Sequence, residues 1–508
     1  MGSGKKKAFF SLFDTEKCIL FAKELERLGW EIIATGETSG LLNKNGVKAV
    51  DISEFLGFAG KYPFPPTLHP KMELALATNE KESIGLVYVI TYPLSHGNDV
   101  GGHTLLGLAA KGKKIVVSNK EDMAMVISEL GKNNNEIDSS LRQELIEKAF
   151  LKIACHFNAC FSALDLNHAG QVKIIKLAEG ENPYQSPAEL FHLNSGDSLA
   201  IGNFRQESGV APCFTNIADF DSILKTFCLA QNAFYLRYKK TPNIVIAAKH
   251  GNPCGFAVSW DSKESAIENA LWGNPRAVWG GELVANFYIN KRLAEKLYQS
   301  KKRQSLFENS GWMLDVVAAP GFDKEAVQIL GKRPERKLFS SPALEKPFLE
   351  KNFAYRQVRG GFLRQPPGNY VLNFEETETD FGLPGKNALD SLIIAWATAW
   401  SSSHGGNEVA IAKNRKLLGI GGGPSTFDSC FTAIDRAEKN CHLLKGSAFA
   451  ADAFFPFTDA ALQLIGAGCG YGIVPKGGKK FEAVKKCFKE SSVRVFYLPE
   501  KFRGFCRH

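Results

Sequence analysis

Two hydrophobic rhythms alternate along the first part of the chain. Ala8–Phe13 is a short apolar run, which predicts a buried strand. From Thr15 to Leu28 the residues Cys18, Ile19, Phe21, Ala22, Leu25 and Leu28 recur at helical spacing, and Gly29 closes the pattern. Glu31–Ala34, Ile84–Tyr92 and Lys114–Val117 read as further strands. Strands that alternate with helices predict an α/β domain, a parallel sheet with helices on both faces. Gly131–Asp138 is polar and Asn-rich, a loop, and Leu141–Leu166 is again helical in pattern. We place the domain boundary near residue 170, giving domains 1–170 and 171–508.

Beyond the boundary, Gly and Pro punctuate the chain more often. Ile244–Ala248 is a fully apolar strand that stops at Lys249-His250, followed by Gly251-Asn252-Pro253-Cys254-Gly255. Val245-Ile-Ala-Ala-Lys249 is echoed by Val409-Ala-Ile-Ala-Lys413, a hint of two related subdomains. A basic pair at the end of a buried strand is a common place for chemistry in α/β proteins. The competing reading is that Lys249 only snorkels and His250 only caps; the stretch alone leaves both open. Thr35-Gly36-Glu37-Thr38-Ser39-Gly40 follows a strand and opens a helix, so its N–H groups and hydroxyls would face an anion.

Composition narrows the classes. With 44% hydrophobic and 23% charged residues the chain is an ordinary globular protein. No apolar run approaches the roughly 18 residues a bilayer span needs. The start, Met1-Gly-Ser-Gly-Lys-Lys-Lys, lacks the apolar core of a secretory signal, and Lys6 stands where a myristoylation motif needs Ser or Thr. The net charge of +9 comes from scattered lysines without a nucleic-acid-binding signature, and suits anionic small substrates. Eleven dispersed cysteines without C-x-x-C pairs fit reduced thiols, hence a cytoplasmic location. No metal is expected: Pro253-Cys254 lacks the second cysteine and the H-x-E of zinc deaminases. The glycines of Gly419-Ile-Gly-Gly-Gly423 have no Walker lysine and read as a tight turn where backbone meets a ligand.

Six motifs then occur in order: Gly180-Glu-Asn-Pro-Tyr-Gln185, Lys249-His-Gly-Asn-Pro-Cys-Gly255, Ala319-Pro-Gly-Phe322, Val358-Arg-Gly-Gly361, Asn407-Glu-Val-Ala-Ile-Ala-Lys413 and Asp452-Ala-Phe-Phe-Pro-Phe457. Together they resemble the bifunctional purine-biosynthesis family AICAR transformylase / IMP cyclohydrolase, and the similarity runs over nearly the whole chain. The resemblance implies an N-terminal methylglyoxal-synthase-like domain that closes a ring. It implies a C-terminal transformylase with two cytidine-deaminase-like subdomains. It further implies 10-formyltetrahydrofolate as cosubstrate, AICAR as acceptor, and a homodimer with its site at the interface. Carried over residue by residue, it makes Lys249, His250 and Asn407 catalytic. Asn216, Tyr184, Asp315, Arg359 and Arg503 become substrate-binding, and Phe454, Phe455 and Pro456 the wall for the folate. The residue types suit the chemistry: a histidine near neutrality to take the amine proton, a lysine to face the oxyanion, an asparagine to hold groups in register. In the N-terminal domain Thr35, Thr38, Tyr92, Asp99 and Lys111 match family positions.

The chain also departs from the family pattern. Ala178 and Glu179 stand where the family has Arg-Tyr, and Tyr184 replaces a histidine. Pro334 falls on a phosphate lysine, with Arg333 or Arg336 as possible substitutes. Pro424-Ser-Thr-Phe427 replaces a Gln-x-Ser-Arg segment. Phe64-Pro65-Pro66 stands where the cyclohydrolase loop carries Arg-Val-Lys, and proline supplies no ammonium group. The leading reading is an AICAR formyltransferase whose cyclohydrolase activity is lost or weak. A formyltransferase for another amine, and a non-catalytic dimeric paralogue that binds folate or nucleotide, are the alternatives.

Overall fold

The computed structural model describes residues 5–57, 66–78, 83–163, 173–192, 196–307, 309–359 and 361–506. The chain divides into two compact units, Met1–Ala169 and Gly170–His508.

In the first unit five strands form one sheet: β1 (Lys7–Leu12), β2 (Glu31–Ala34), β3 (Ala49–Asp51), β4 (Leu86–Ile90) and β5 (Ile115–Val117). Every pairing is parallel and the order is β3-β2-β1-β4-β5. Both faces are buried, so the strands read as continuous apolar runs rather than alternating ones. Phe10 and Tyr88 pack on one face with the helix at Cys18–Arg27, and Phe9, Val87 and Val89 pack on the other. The order reverses between β1 and β4, and in such sheets ligands bind beyond the strand C-termini at that switch point. Two helices start at this end, α1 (Gly36–Lys44) and α2 (Val100–Lys111).

The second unit is built on an eleven-stranded mixed sheet whose two halves repeat one plan. Outside it lie the two-stranded pair β6 (Lys173–Lys176) and β7 (Glu189–His192), and the strand β8 (Arg205–Ser208) forms one sheet edge. In the first half, β9 (Asn243–Lys249) and β10 (Asn252–Ser259) make a hairpin. β11 (Gly281–Ala285) is antiparallel to β9, and β12 (Leu314–Ala319) and β13 (Lys337–Ser340) follow in parallel. A separate hairpin joins β14 (Ala354–Val358) to β15 (Gly361–Gln365). In the second half, β16 (Val409–Lys413) and β17 (Lys416–Gly421) make the hairpin, β18 (Ala448–Ala451) is antiparallel to β16, and β19 (Tyr471–Pro475) and β20 (Arg494–Leu498) follow in parallel. The halves join through β10 and β17. The echoing segments Val245–Lys249 and Val409–Lys413 are thus equivalent strands.

Both hairpins turn through two residues with positive φ. They are His250 (53°) and Gly251 (69°) in one, Asn414 (51°) and Arg415 (64°) in the other. Two consecutive left-handed residues make the type I′ turn that matches strand twist. Sequence reading put a longer loop after His250; the chain instead turns at once and Asn252 already pairs with Lys249.

Two long helices, α3 (Phe214–Tyr238) and α4 (Lys386–Ala399), precede β9 and β16 and share one core face with both halves. Every residue of α4 from Leu389 to Ala399 is buried, as expected of a helix that is apolar all round. Within it Asp390 accepts from Arg415 Nε at 2.7 Å and Trp260 Nε1 at 2.9 Å, which ties the second hairpin turn to the core. On the opposite face each half has its own apolar layer, the second closed by α5 (Thr426–Lys439). Gly419 and Gly421 lie against this helix: a Cβ at either would fall inside contact distance of the carbonyl of Ala433 or Ser429. These glycines serve helix–strand approach rather than a ligand turn, which corrects the sequence reading.

Candidate active site at one edge of the large sheet

Strand directions gather the candidate residues. β9 and β17 end, and β10, β11, β12 and β16 begin, at the same margin of the sheet, while β18, β19 and β20 end there. Lys249, His250, Asp315, Asn407, the Phe454–Pro456 segment and Arg503 all fall on or just beyond those ends. Asn216 joins them because α3 runs back along β9 and places its first turn there.

Lys249 is half-buried and its Nζ donates to the Gly280 carbonyl, which fixes the ammonium at the strand end. His250 is exposed at the turn. Lys249, His250, Asn274, His404 and Arg436 line one cavity of about 280 Å³. Asn407 lies elsewhere on the margin. Its Nδ2 donates to Gly423 O at 3.0 Å, and its Oδ1 accepts from the Thr426 hydroxyl at 3.4 Å. Three strand spacings, roughly 14 Å, separate β16 from β9. With its amide engaged by Gly423 and Thr426, Asn407 shares the sheet margin with the Lys-His pair and makes no hydrogen bond to His250 among the described residues. Both His250 and Asn407 (φ 49°) hold left-handed backbone, a cost that tends to concentrate at functional positions.

Several other residues have clear structural partners. Asn216 is buried at the third position of α3, where its Oδ1 accepts from Cys213 N at 3.3 Å. Phe455 is 2% exposed and packs on Phe449 and Phe488, so its face belongs to the core and offers no wall for a ligand. Phe454 is half-buried against Gly477 and Gly478, and Pro456 is exposed. Arg503 is exposed, near Glu500 and the Phe505 ring. Tyr184, 84% exposed, lies between β6 and β7, in a segment joined to the start of α3 by Phe214 N donating to Glu179 O at 3.0 Å, and Arg359 occupies the exposed turn of the β14–β15 hairpin, outside the large sheet. The substitutes considered for a phosphate lysine are already engaged. Arg336 is buried and donates to Trp312 O at 2.6 Å, Leu314 O at 3.1 Å and Leu330 O at 3.2 Å, while Arg333 contacts Met313 Sδ. Burial pulls the Arg336 guanidinium down to about 10. Pro334 presents its carbonyl to Val210 N at 2.8 Å.

Sequence reading missed four acid–base residues on this margin. Glu282 is buried on β11 opposite Ala248, with Oε2 unpartnered among the described residues. Burial first, then Asp219 and Asp315, push its carboxyl up to about 8, against the pull of Lys249. The signal available was one acid inside the apolar run Gly281-Glu-Leu-Val-Ala285. Glu408 is buried beside the Asn407 backbone and holds His404, with Nδ1–Oε2 at 2.9 Å. Asp452, at the end of β18, is pushed up to about 7 by burial and by Glu408, and its Oδ1 is unpartnered among the described residues. Cys254, by contrast, is held protonated: burial raises its thiol to about 12.

The first unit has a smaller arrangement at its switch point. Thr35 and Thr38 open α1 with their hydroxyls 3.3 Å apart. Asp99 caps α2, accepting from Gly102 N at 2.7 Å and Tyr92 N at 3.1 Å, and Tyr92 donates to Asn98 O at 3.3 Å. Lys111 is in the last turn of the 12-residue α2. At 1.5 Å per residue it stands about 18 Å from Asp99 along the axis. This removes Lys111 from the residual site. Phe64 and Pro65 lie outside the described residues; Pro66 opens a short 3₁₀ turn.

A parallel α/β unit and a repeated mixed-sheet unit with a Lys-His strand end define a two-part enzyme class, and comparison with known proteins agrees. The model of the AICARFT/IMPCHase bienzyme family matches residues 109–436, and the MGS-like domain model matches residues 17–112. The bifunctional purine biosynthesis protein PurH of Persephonella marina is 28% identical, covering 97% of this chain and 98% of its own. That of Caldicellulosiruptor saccharolyticus is 27% identical over 98% and 99%, and that of Clostridium botulinum 29% over 97% and 98%. The chain belongs to the AICARFT/IMPCHase bienzyme family.

Proposed function

We propose that this chain transfers the formyl group of 10-formyltetrahydrofolate to the amine of AICAR, in purine biosynthesis. The AICAR amine is a weak nucleophile because its lone pair is delocalised towards the carboxamide. His250 takes its proton as the C–N bond forms, and the fixed Lys249 ammonium faces the developing oxyanion. Asn407, on the same margin, holds the reacting groups rather than His250. The observation that carries the reading is the convergence of Lys249, His250, Asp315, Asn407 and the Phe454–Pro456 segment on one sheet margin in a member of this family. The protein acts as a cytoplasmic homodimer. Tyr184 and Arg359, both exposed, serve the site across the dimer interface in this reading. A folate absorbance assay with AICAR tests it: His250→Ala should lower kcat by about 10²- to 10⁴-fold.

The first unit has little or no cyclohydrolase activity in this reading. Its support is Pro65-Pro66 in place of a lysine and the position of Lys111 at the far end of α2. Conversion of formyl-AICAR to IMP at a rate comparable with transfer would contradict it. A second reading, transfer to an amine without a phosphate, is favoured by Ala178, Glu179 and the engaged Arg336.

A further inference from the structure

The loop before β16 builds a histidine–carboxylate pair, His404 and Glu408, to which the sequence motifs assign no role. His404 donates its backbone N–H to Glu408 Oε1 at 2.5 Å, and its ring Nδ1 meets Glu408 Oε2 at 2.9 Å. Both carboxylate oxygens are thus engaged by one residue. Glu408 is 1% exposed, and Gly422 makes room for it, since a Cβ there would overlap both carboxylate oxygens. Gly405 and Gly406, at φ 115° and 95°, give the loop the bend that brings residues 404 and 408 together. A carboxylate on Nδ1 fixes the ring tautomer and leaves Nε2 as the ring's remaining polar atom. That ring lines the same cavity as Lys249 and His250. The loop is also fastened to the first half of the sheet: Ser403 N donates to Asn252 Oδ1 at 2.7 Å, and Asn252 adjoins the His250-Gly251 turn. Two histidines, one from each half, therefore face one cavity, and one of them is backed by a buried anion.

We propose that His404, oriented by Glu408, is the acid of the formyl-transfer site, complementing His250 as its base. This rests on the formyl-transfer reading above. The amine nitrogen bonds to the formyl carbon, the carbonyl electrons move to oxygen, and the amine proton passes to His250. When the carbonyl re-forms, the bond from carbon to the folate nitrogen breaks, and that nitrogen takes the proton from His404 Nε2. One proton is gained by His250 and one lost by His404, and exchange with solvent restores both. The charged and titratable groups around His404 are Glu408 on its own loop, Asp452 from β18, Lys249 and His250 from the first hairpin, and Arg436 from α5.

The test uses the full-length protein with AICAR and 10-formyltetrahydrofolate. His404→Gln should lower kcat by about 100-fold or more while the folate KM stays within about threefold. Glu408→Gln keeps the hydrogen bond but removes the charge. It should lower kcat by about 10-fold or more while the folate KM stays within about threefold, a split that a merely structural role would not give. A His404→Gln protein with near wild-type kcat overturns the proposal and leaves the formyl-transfer reading standing. If that variant fails to fold, a near wild-type kcat in Glu408→Gln overturns it instead. A wild-type protein with no turnover of AICAR overturns the formyl-transfer reading, and this role for His404 with it.

Discussion

Asn216 Nδ2 lies 3.5 Å from Glu282 Oε1, across the boundary between the first turn of α3 and the start of β11. The other carboxyl oxygen has no partner among the described residues, and the side chain is buried. The sign of the pH effect follows. The carboxyl is near 8 in the fold against 4.5 in an open chain, so between these values the folded state binds the extra proton. Stability is then greatest below about pH 4.5 as far as this group is concerned, and falls as pH rises towards 8. Glu282→Gln removes that dependence. Denaturant titrations should show the variant more stable than wild type at pH 8–9, by an amount on the order of a few kcal/mol, with the gap closing towards pH 5.

Asp390 holds Arg415 and Trp260 from inside α4 and is itself fully buried. Asp390→Ala should destabilise the second unit by about 3 kcal/mol, since it leaves a buried indole N–H unpaired and the guanidinium without its counter-charge. Chemical denaturation followed by tryptophan fluorescence checks this.

Arg336 distinguishes a structural cation from a phosphate ligand. It satisfies three backbone carbonyls near the start of β12 and the end of the preceding helix turn. Arg336→Met should lower the melting temperature and leave the nucleotide KM of the remaining folded protein unchanged. An unchanged melting temperature with a raised KM would assign it to the phosphate instead.

Lys111 makes the complementary case in the first unit. Because it stands at the far end of α2 from Asp99, Lys111→Ala should leave nucleotide binding by that unit within about twofold of wild type in calorimetry.

The parallel first sheet was legible because β1, β2 and β4 are buried on both faces and therefore read as unbroken apolar runs. The repeat in the large sheet was legible only through Val245–Lys249 and Val409–Lys413, since the remaining strands share topology rather than sequence. His250 was legible as a strand end, but its I′ turn was hidden because a non-glycine residue holds the first left-handed position. Glu282, His404 and Glu408 escaped notice for a different reason. Their significance lies in burial and in contacts made across a loop, and neither follows a period of 2 or 3.6. Arg333 and Arg336 looked interchangeable because a row of basic residues does not say which one points inward. Phe454 and Phe455 show the same limit: adjacent rings on a strand extension face opposite ways, one towards Gly477 and the other into the core.

The most direct measurement is formyl transfer itself, read by folate absorbance with AICAR and 10-formyltetrahydrofolate at neutral pH. The expected result is turnover by the wild-type protein and a loss of about 10²-fold or more in kcat for His250→Ala. Absence of turnover in a folded wild-type protein that binds the folate, or undiminished kcat in His250→Ala, would contradict the assignment of Lys249-His250 to this chemistry.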